Sequence, residues 1–261
     1  MSDRLLVFYL DASPSDSSNV PYVASICRSK SEEFSSFLQA RLSCKIGDFS
    51  FSNLNAIRET KSGIFASFTT SSVYFRKSVL CFYDFDSIKN QMKISPFLDE
   101  KLKVHLWPPK SLAGTNTSHP AECAENIDEF SAQFISKYSL LEKTISTEPI
   151  WLGEFETFGS ISTFEIDEEV IFIGTDKGRL IKISKFSDEV YRVLEVRDIF
   201  DQIEVCGDNP VVKEIKLVQD EDSSTPNLFI AFENCIITVP AAYCNFSCEE
   251  ECEKLVMVEF Y

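Results

Sequence analysis

Short apolar runs separated by polar turns recur along this chain in a consistent form. Val170-Ile171-Phe172-Ile173-Gly174-Thr175 and Arg179-Leu180-Ile181-Lys182-Ile183-Ser184 flank Asp176-Lys177-Gly178. Two runs of strand length around a turn carrying glycine predict a β-hairpin. Leu228-Phe229-Ile230-Ala231-Phe232 and Cys235-Ile236-Ile237-Thr238-Val239 repeat the design around Glu233-Asn234, with Phe229 lying 57 residues after Phe172. Upstream, Gly63-Ile64-Phe65-Ala66-Ser67-Phe68 and Ser78-Val79-Leu80-Cys81-Phe82-Tyr83 flank a Ser/Thr-rich turn beginning at Thr69. Hairpins recurring at tens of residues are how a β-propeller looks in sequence, each being the inner part of a four-stranded blade. At this spacing a chain of 261 residues holds between four and five units, at the bottom of the roughly four to eight blades that close a propeller, so the reading is a small closed ring or a partial one.

One region breaks the pattern. Asp86 to Trp107 mixes charges with scattered apolar residues, and Pro108 to Pro120 is a Pro/Ser/Thr/Gly loop, so about 86–150 reads as an insertion. Within it Ile127, Phe130, Phe134, Ile135 and Tyr138 fall at helical spacing behind Asp128 and Glu129. Acids in a first turn favour the helix dipole, and the spacing predicts an amphipathic helix.

Composition sharpens the class. With 23 Phe and 8 Tyr the aromatic share is 13%, which favours strands, so the fold is read as all-β with a partly helical insertion. Against 25 basic residues stand 41 acidic ones, a net charge of -16, the wrong sign for nucleic acid. The apolar runs have strand length, short of the 18 or so residues of a membrane span. Met1 to Asp11 has too short an apolar region, and no small-residue cleavage site after it, to read as a signal peptide. The cysteines oppose this absence of an export address. There are 9 of them, at 27, 44, 81, 123, 206, 235, 244, 248 and 252, and only 2 His, His105 and His119, so disulfides are the better reading than metal sites. Asn116-Thr117-Ser118 and Asn245-Phe246-Ser247 are glycosylation sequons compatible with an extracellular chain. Oxidised cysteines without an export signal predict that Met1 is not the natural start.

Catalytic constellations are poor: there is no GxSxG, P-loop or HExxH motif. His105 and His119 read as an acid/base pair or, more simply, as exposed loop residues. Cys244, Cys248 and Cys252 lack CxxC spacing, and Glu249, Glu250, Glu251 and Glu253 beside them read as solvated acids, so no metal or other cofactor is expected. A carboxylate pair inside a propeller hydrolase is the remaining enzymatic alternative. No nucleic acid and no small-molecule substrate are expected as partners.

The motifs follow one another as in the second half of a sema domain, the extracellular propeller of semaphorins and plexins. Semaphorins carry an ARxCK-type strand and then a helix ending FLKARLxC, which Ser25-Ile26-Cys27-Arg28 and Phe37-Leu38-Gln39-Ala40-Arg41-Leu42-Ser43-Cys44 resemble. Gly63 to Ser72, Ser78 to Tyr83, Ile88 and Pro96-Phe97 are similar to the GIFTTSS, SAVCxYxMxDI and GPF signatures. Phe172 to Ile183, Pro210 to Leu217 and Leu228 to Cys244 resemble the FLGTDxGxxxKV pair, the PIxxMxI strand and the closing strand before the cysteine-rich PSI module. Ala40-Arg41-Leu42 points to a semaphorin rather than a plexin or a growth-factor receptor of the same fold. Arg28-Ser29-Lys30-Ser31 replaces the usual KNDxGG, and the Trp before FLKARL is absent, which marks a divergent member.

The resemblance implies the later blades of a seven-bladed propeller over 1–243, and over 244–261 the truncated start of a PSI module containing Cys244, Cys248 and Cys252. Nothing supplies the first three or so blades, so the chain reads as a fragment whose exposed strand edges invite aggregation. It further implies bridges Cys27–Cys123 and Cys44–Cys81, the alternative being buried free thiols. The first would close a loop of about 96 residues, worth about 4 to 5 kcal/mol in the chain-entropy model. Cys206 and Cys235 receive no partner from the family. The implied function is that of an extracellular signalling ligand, secreted or attached to the plasma membrane. It would bind a plexin-type receptor in axon guidance and cell migration and would homodimerise through the sema domain. The alternative within the fold is a plexin-type receptor ectodomain.

Overall fold

Alternating apolar positions become strands throughout a computed structural model that describes residues 3–12, 19–28, 34–70, 77–99, 104–105, 139–154, 161–167, 170–187, 190–199, 209–218 and 226–241. The first strands are β1 (Asp3–Ala12), β2 (Asn19–Arg28), β3 (Phe34–Ile46), β4 (Phe49–Phe51), β5 (Asn53–Glu59), β6 (Gly63–Thr69) and β7 (Lys77–Asp84). Helix α1 (Phe85–Ile94) follows, then β8 (Leu98–Asp99), β9 (Val104–His105), β10 (Ile145–Thr147) and β11 (Pro149–Glu154). The chain continues through β12 (Ile161–Asp167), β13 (Val170–Thr175), β14 (Arg179–Ser187), β15 (Val190–Asp198), β16 (Glu214–Val218), β17 (Asn227–Ala231) and β18 (Ile236–Pro240). They form two compact units.

The first unit comprises Met1–Leu54, Thr60–Ile64 and Phe82–Glu148. Its sheet has the order β1-β2-β3-β10, with β4 pairing β3. Strands β1 to β4 run antiparallel to their neighbours, whereas β10 joins β3 in parallel at Ile145↔Leu42. Leu38, Ala40, Leu42 and Cys44 are all buried, a period of two that belongs to a strand. The segment whose family counterpart is described as the end of a helix is therefore extended here. Its hydrophobic positions fall at i, i+2 and i+4, which would scatter around a helix but line one face of a strand.

Helix α1 lies in the stretch read only as an insertion of mixed charge. Asp84 caps it by accepting from the Ser87 amide at 2.8 Å, a bond worth about 1 kcal/mol. Asp86 favours the positive end of its dipole, and Ile88 and Met92, at i and i+4, are buried. The insertion expected to reach about residue 150 gives way to sheet at Ile145, where buried Ile145 and Trp151 lie on strands β10 and β11. The helix expected around Ile127 to Tyr138 lies outside the described residues.

The second unit comprises Asn55–Glu59, Phe65–Cys81 and Pro149–Tyr261. It holds most of the four-stranded sheet β11-β7-β6-β5, the four-stranded sheet β12-β13-β14-β15 and the three-stranded sheet β16-β17-β18. All their pairings that were read as hairpins are present. Strands β13 and β14 pair antiparallel from Val170↔Ser184 to Gly174↔Leu180. The turn between them uses Gly178 at φ 73°, a conformation that a side chain with a Cβ resists. Strands β17 and β18 pair from Asn227↔Pro240 to Ala231↔Ile236.

A continuous core joins the last two sheets: Phe172, Leu180, Ile199, Val212, Ile215, Leu228, Ile230, Phe232, Ile237, Val239 and Ala241 are buried together. Polar bonds fasten the first strand of each sheet to the sheet before it. The Ile161 amide donates to Ser78 Oγ at 3.1 Å, and Asn55 Nδ2 to the Ile161 carbonyl at 2.8 Å. Ser162 Oγ donates to the Val212 carbonyl at 2.6 Å, and the Val212 amide to the Thr175 carbonyl at 3.1 Å.

In the first unit, a Cβ added at Gly63 would stand 2.2 Å from the Tyr83 carbonyl oxygen. Backbone cannot swing aside as a flexible side chain does. Gly63→Ala is expected to lower stability by about 1 to 3 kcal/mol, the cost of overpacking, in urea unfolding followed by circular dichroism. An unchanged midpoint would contradict that close approach.

Candidate interaction surface

The cysteines were the most specific site residues in the sequence. Cys27 on β2, Cys44 on β3 and Cys81 on β7 are buried, and Cys235 sits in the turn between β17 and β18. All four are disulfide-bonded. Cys123, Cys206, Cys244, Cys248, Cys252, Asn116, Asn245 and His119 lie outside the described residues. His105 is on β9, with its backbone opposite Leu98. Among the described residues no group of three or more His, Cys, Asp or Glu is placed to hold a metal ion, and no helix is long and apolar enough to cross a membrane.

Two polar constellations in the second unit had no signal in the sequence. The first spans the opening strands β5, β12 and β16. Arg58 Nε lies 3.7 Å from Glu165 Oε2, and Lys216 Nζ lies 3.9 Å from the same oxygen and 3.8 Å from Glu214 Oε1. The Arg58 guanidinium also donates to Thr163 Oγ1 at 3.3 Å and sits 5.9 Å from the centre of the Phe164 ring. Such contacts add a cation–π attraction to a partly solvated ion pair. Arg58 and Glu165 are more than a hundred residues apart, so no local motif announces them.

Lys182 carries the second. It is only 5% exposed, because β14 places it opposite Phe172 on β13 and Glu195 on β15. Its ammonium lies 5.7 Å from the Phe172 ring centre, and it lines a small cavity with Leu180, Arg197, Leu228 and Val239. Burial pulls its pKa below the ordinary lysine value; Glu195 opposes that pull and Arg197 adds to it. In the sequence Lys182 merely interrupts an apolar run, which reads as a solvent-facing position of an alternating strand.

Apolar side chains are exposed on an edge strand of the first unit and on the last sheet of the second. On edge strand β1 these are Leu5, Val7 and Leu10. On the last sheet Phe229 and Ile236 are exposed and, with Phe232, Cys235 and Thr238, line a shallow groove. Edge strands and exposed apolar patches are the natural seats of protein contacts.

The lysine supplies a pH test. A lysine whose folded-state pKa lies below its unfolded value binds fewer protons folded than unfolded, so stability rises with pH through that interval. Lys182→Met, which keeps the length and removes the charge, is expected to be at least as stable as the native protein near pH 7. Its advantage is expected to shrink as the pH approaches 10.5, the ordinary value. A stability difference that stays flat across this range in urea titrations would contradict the assignment.

Comparisons with known proteins agree with the geometry. The family model described as the Sema domain matches residues 50–219. Human Semaphorin-6D is 26% identical over 261 aligned residues, covering 85% of this chain and 24% of that protein. The chain thus spans about a quarter of the length of this curated relative. The solved structure of Drosophila Semaphorin 2a superimposes with a TM-score of 0.71 at 16% identity, covering 94% of this chain and 43% of that one. A chain from the structure of Drosophila Plexin A in complex with Semaphorin 1b gives a TM-score of 0.65 at 20% identity, covering 92% of this chain and 54% of that one. The four-stranded antiparallel sheets are blades of the β-propeller that semaphorin sema domains adopt. With most of its length matched and its sheets built as blades, the chain belongs to the Sema domain family.

Proposed function

We propose that this chain is the later part of the sema propeller of an extracellular semaphorin ligand, and that the ligand binds a plexin-type receptor through the loops and edges of its blades. The observation that carries this reading is the Sema domain match over residues 50–219, together with a solved relative that is itself a complex of Plexin A with Semaphorin 1b. Disulfide bonds at Cys27, Cys44, Cys81 and Cys235 support an oxidising, extracellular setting. Under this reading Cys27 pairs with Cys123 and Cys44 with Cys81, Asn116 and Asn245 carry glycans, and Cys244, Cys248 and Cys252 open a PSI module. The parent protein is secreted or held at the plasma membrane. A homodimer formed through the sema domain presents two receptor sites, so that avidity multiplies a modest single-site affinity. The protein acts by contact and clustering rather than by turnover.

Immobilised plexin ectodomains in a label-free binding assay test the proposal. Saturable binding of the folded protein to at least one plexin, weakened by raised salt, is the expected outcome. Binding to semaphorin ectodomains and to no plexin would instead mark a receptor fragment, and overturn the ligand reading. No binding to any plexin, by protein shown to be folded and beside a semaphorin control that binds, would overturn it as well.

A further inference from the structure

The chain between β15 and β16 reaches the last sheet at a fixed point. Asn209 donates from Nδ2 to Glu233 Oε2 and accepts at Oδ1 from the Val211 amide at 3.2 Å, while the Lys213 amide donates to the Ala231 carbonyl at 2.7 Å. The approach to β16 therefore runs beside the turn that joins β17 to β18, where the Phe232 amide donates to the Cys235 carbonyl at 2.9 Å. Cys235 in this turn is disulfide-bonded.

From this placement we propose that the partner of Cys235 is Cys206. Cys235 is two residues beyond Glu233, and Cys206 is three residues before Asn209. Three residues reach at most about 11 Å, and a disulfide needs its Cα atoms about 4.4 to 6.8 Å apart, so from the hydrogen-bonded pair the chain is long enough for Cys206 to reach Cys235. Cys244 is placed badly for the same bond. Strand β18 carries the chain from Cys235 to Ala241, about 20 Å away at strand rise, and the Ala241 amide is fastened to the Pro226 carbonyl at 2.8 Å. The three residues from Ala241 to Cys244 return at most about 11 Å. The bridge staples the entry to β16 onto the outermost hairpin of the last sheet, independently of any receptor.

The bond forms by exchange with an oxidised dithiol–disulfide donor. The thiolate of one cysteine attacks a donor sulfur and expels the donor's other sulfur as thiolate. The second cysteine's thiolate then attacks the mixed disulfide and releases the donor as a dithiol, two electrons and two protons having left the chain.

Non-reducing peptide mapping of the intact protein tests the pairing. Chymotrypsin cuts after Tyr243 and separates Cys235 from Cys244, and trypsin cuts at Lys213 and Lys216 between Cys206 and Cys235. The expected result is a linked pair holding Cys206 and Cys235 that separates on reduction. A second measurement counts thiols: Cys235→Ser exposes one further alkylatable thiol, at Cys206, and Cys206→Ser/Cys235→Ser exposes none. Alkylation of Cys206 in the native protein, or a peptide joining Cys235 to Cys248, Cys252 or any other cysteine, overturns the proposal. Loss of receptor binding with this bridge intact would affect only the ligand reading.

Discussion

Face-to-face packing between neighbouring sheets is the constraint on which the rest of the second unit depends. Phe172 and Leu180 from one sheet bury themselves against Ile215, Leu228, Ile230 and Val239 from the next. Each such side chain contributes about 1.5 to 3 kcal/mol when fully removed from water. Three strands need a covered hydrophobic face to be stable, and β16-β17-β18 has its apolar face buried against this partner. The polar links at Ser162, Val212 and Thr175 satisfy backbone groups at the seam and fix the register of one sheet on the next. Once the sheets are so placed, the opening strands β5, β12 and β16 bring Arg58, Glu165 and Lys216 together as a consequence. Buried Lys182 is the part of this seam that burial disfavours.

The local part of this architecture was legible. The hairpins at Val170 to Ser184 and Leu228 to Val239 announced themselves because strand periodicity and turn chemistry lie within about fifteen consecutive residues. Helix α1 was missed although its cap, Asp84, and its buried pair, Ile88 and Met92, are also local. Ten residues following a strand without a break, with two buried positions, give a weak helical signal. Strand β3 went the other way: the family's helical description of its motif prevailed over an alternation that is plain in Leu38, Ala40, Leu42 and Cys44. The charge constellation was illegible because its members come from three separate sheets. The number of cysteines made disulfides legible, and Cys27, Cys44, Cys81 and Cys235 are bonded. The bond at Cys235 had no place in the family pattern, and its proposed partner rests on the meeting of Asn209 and Glu233, which no local motif announces.

Such a molecule is suited to being a rigid surface. The described residues carry charge pairs between neighbouring strands, exposed apolar side chains on β1 and on the last sheet, and disulfide-bonded cysteines at Cys27, Cys44, Cys81 and Cys235. Rigidity of this kind serves recognition, because little ordering remains to oppose binding when a partner arrives. Membership of the Sema domain family gives that surface its proposed receptor.

Native-state hydrogen exchange on the second unit, read strand by strand, tests the dependence on sheet packing most directly. If the shared apolar seam holds the two sheets as one cooperative unit, the central amides of β13, β14 and β17 will exchange slowly and with closely similar opening free energies. Amides of β17 exchanging a hundredfold or more faster than those of β13 would show that the last sheet opens alone, and would contradict the account.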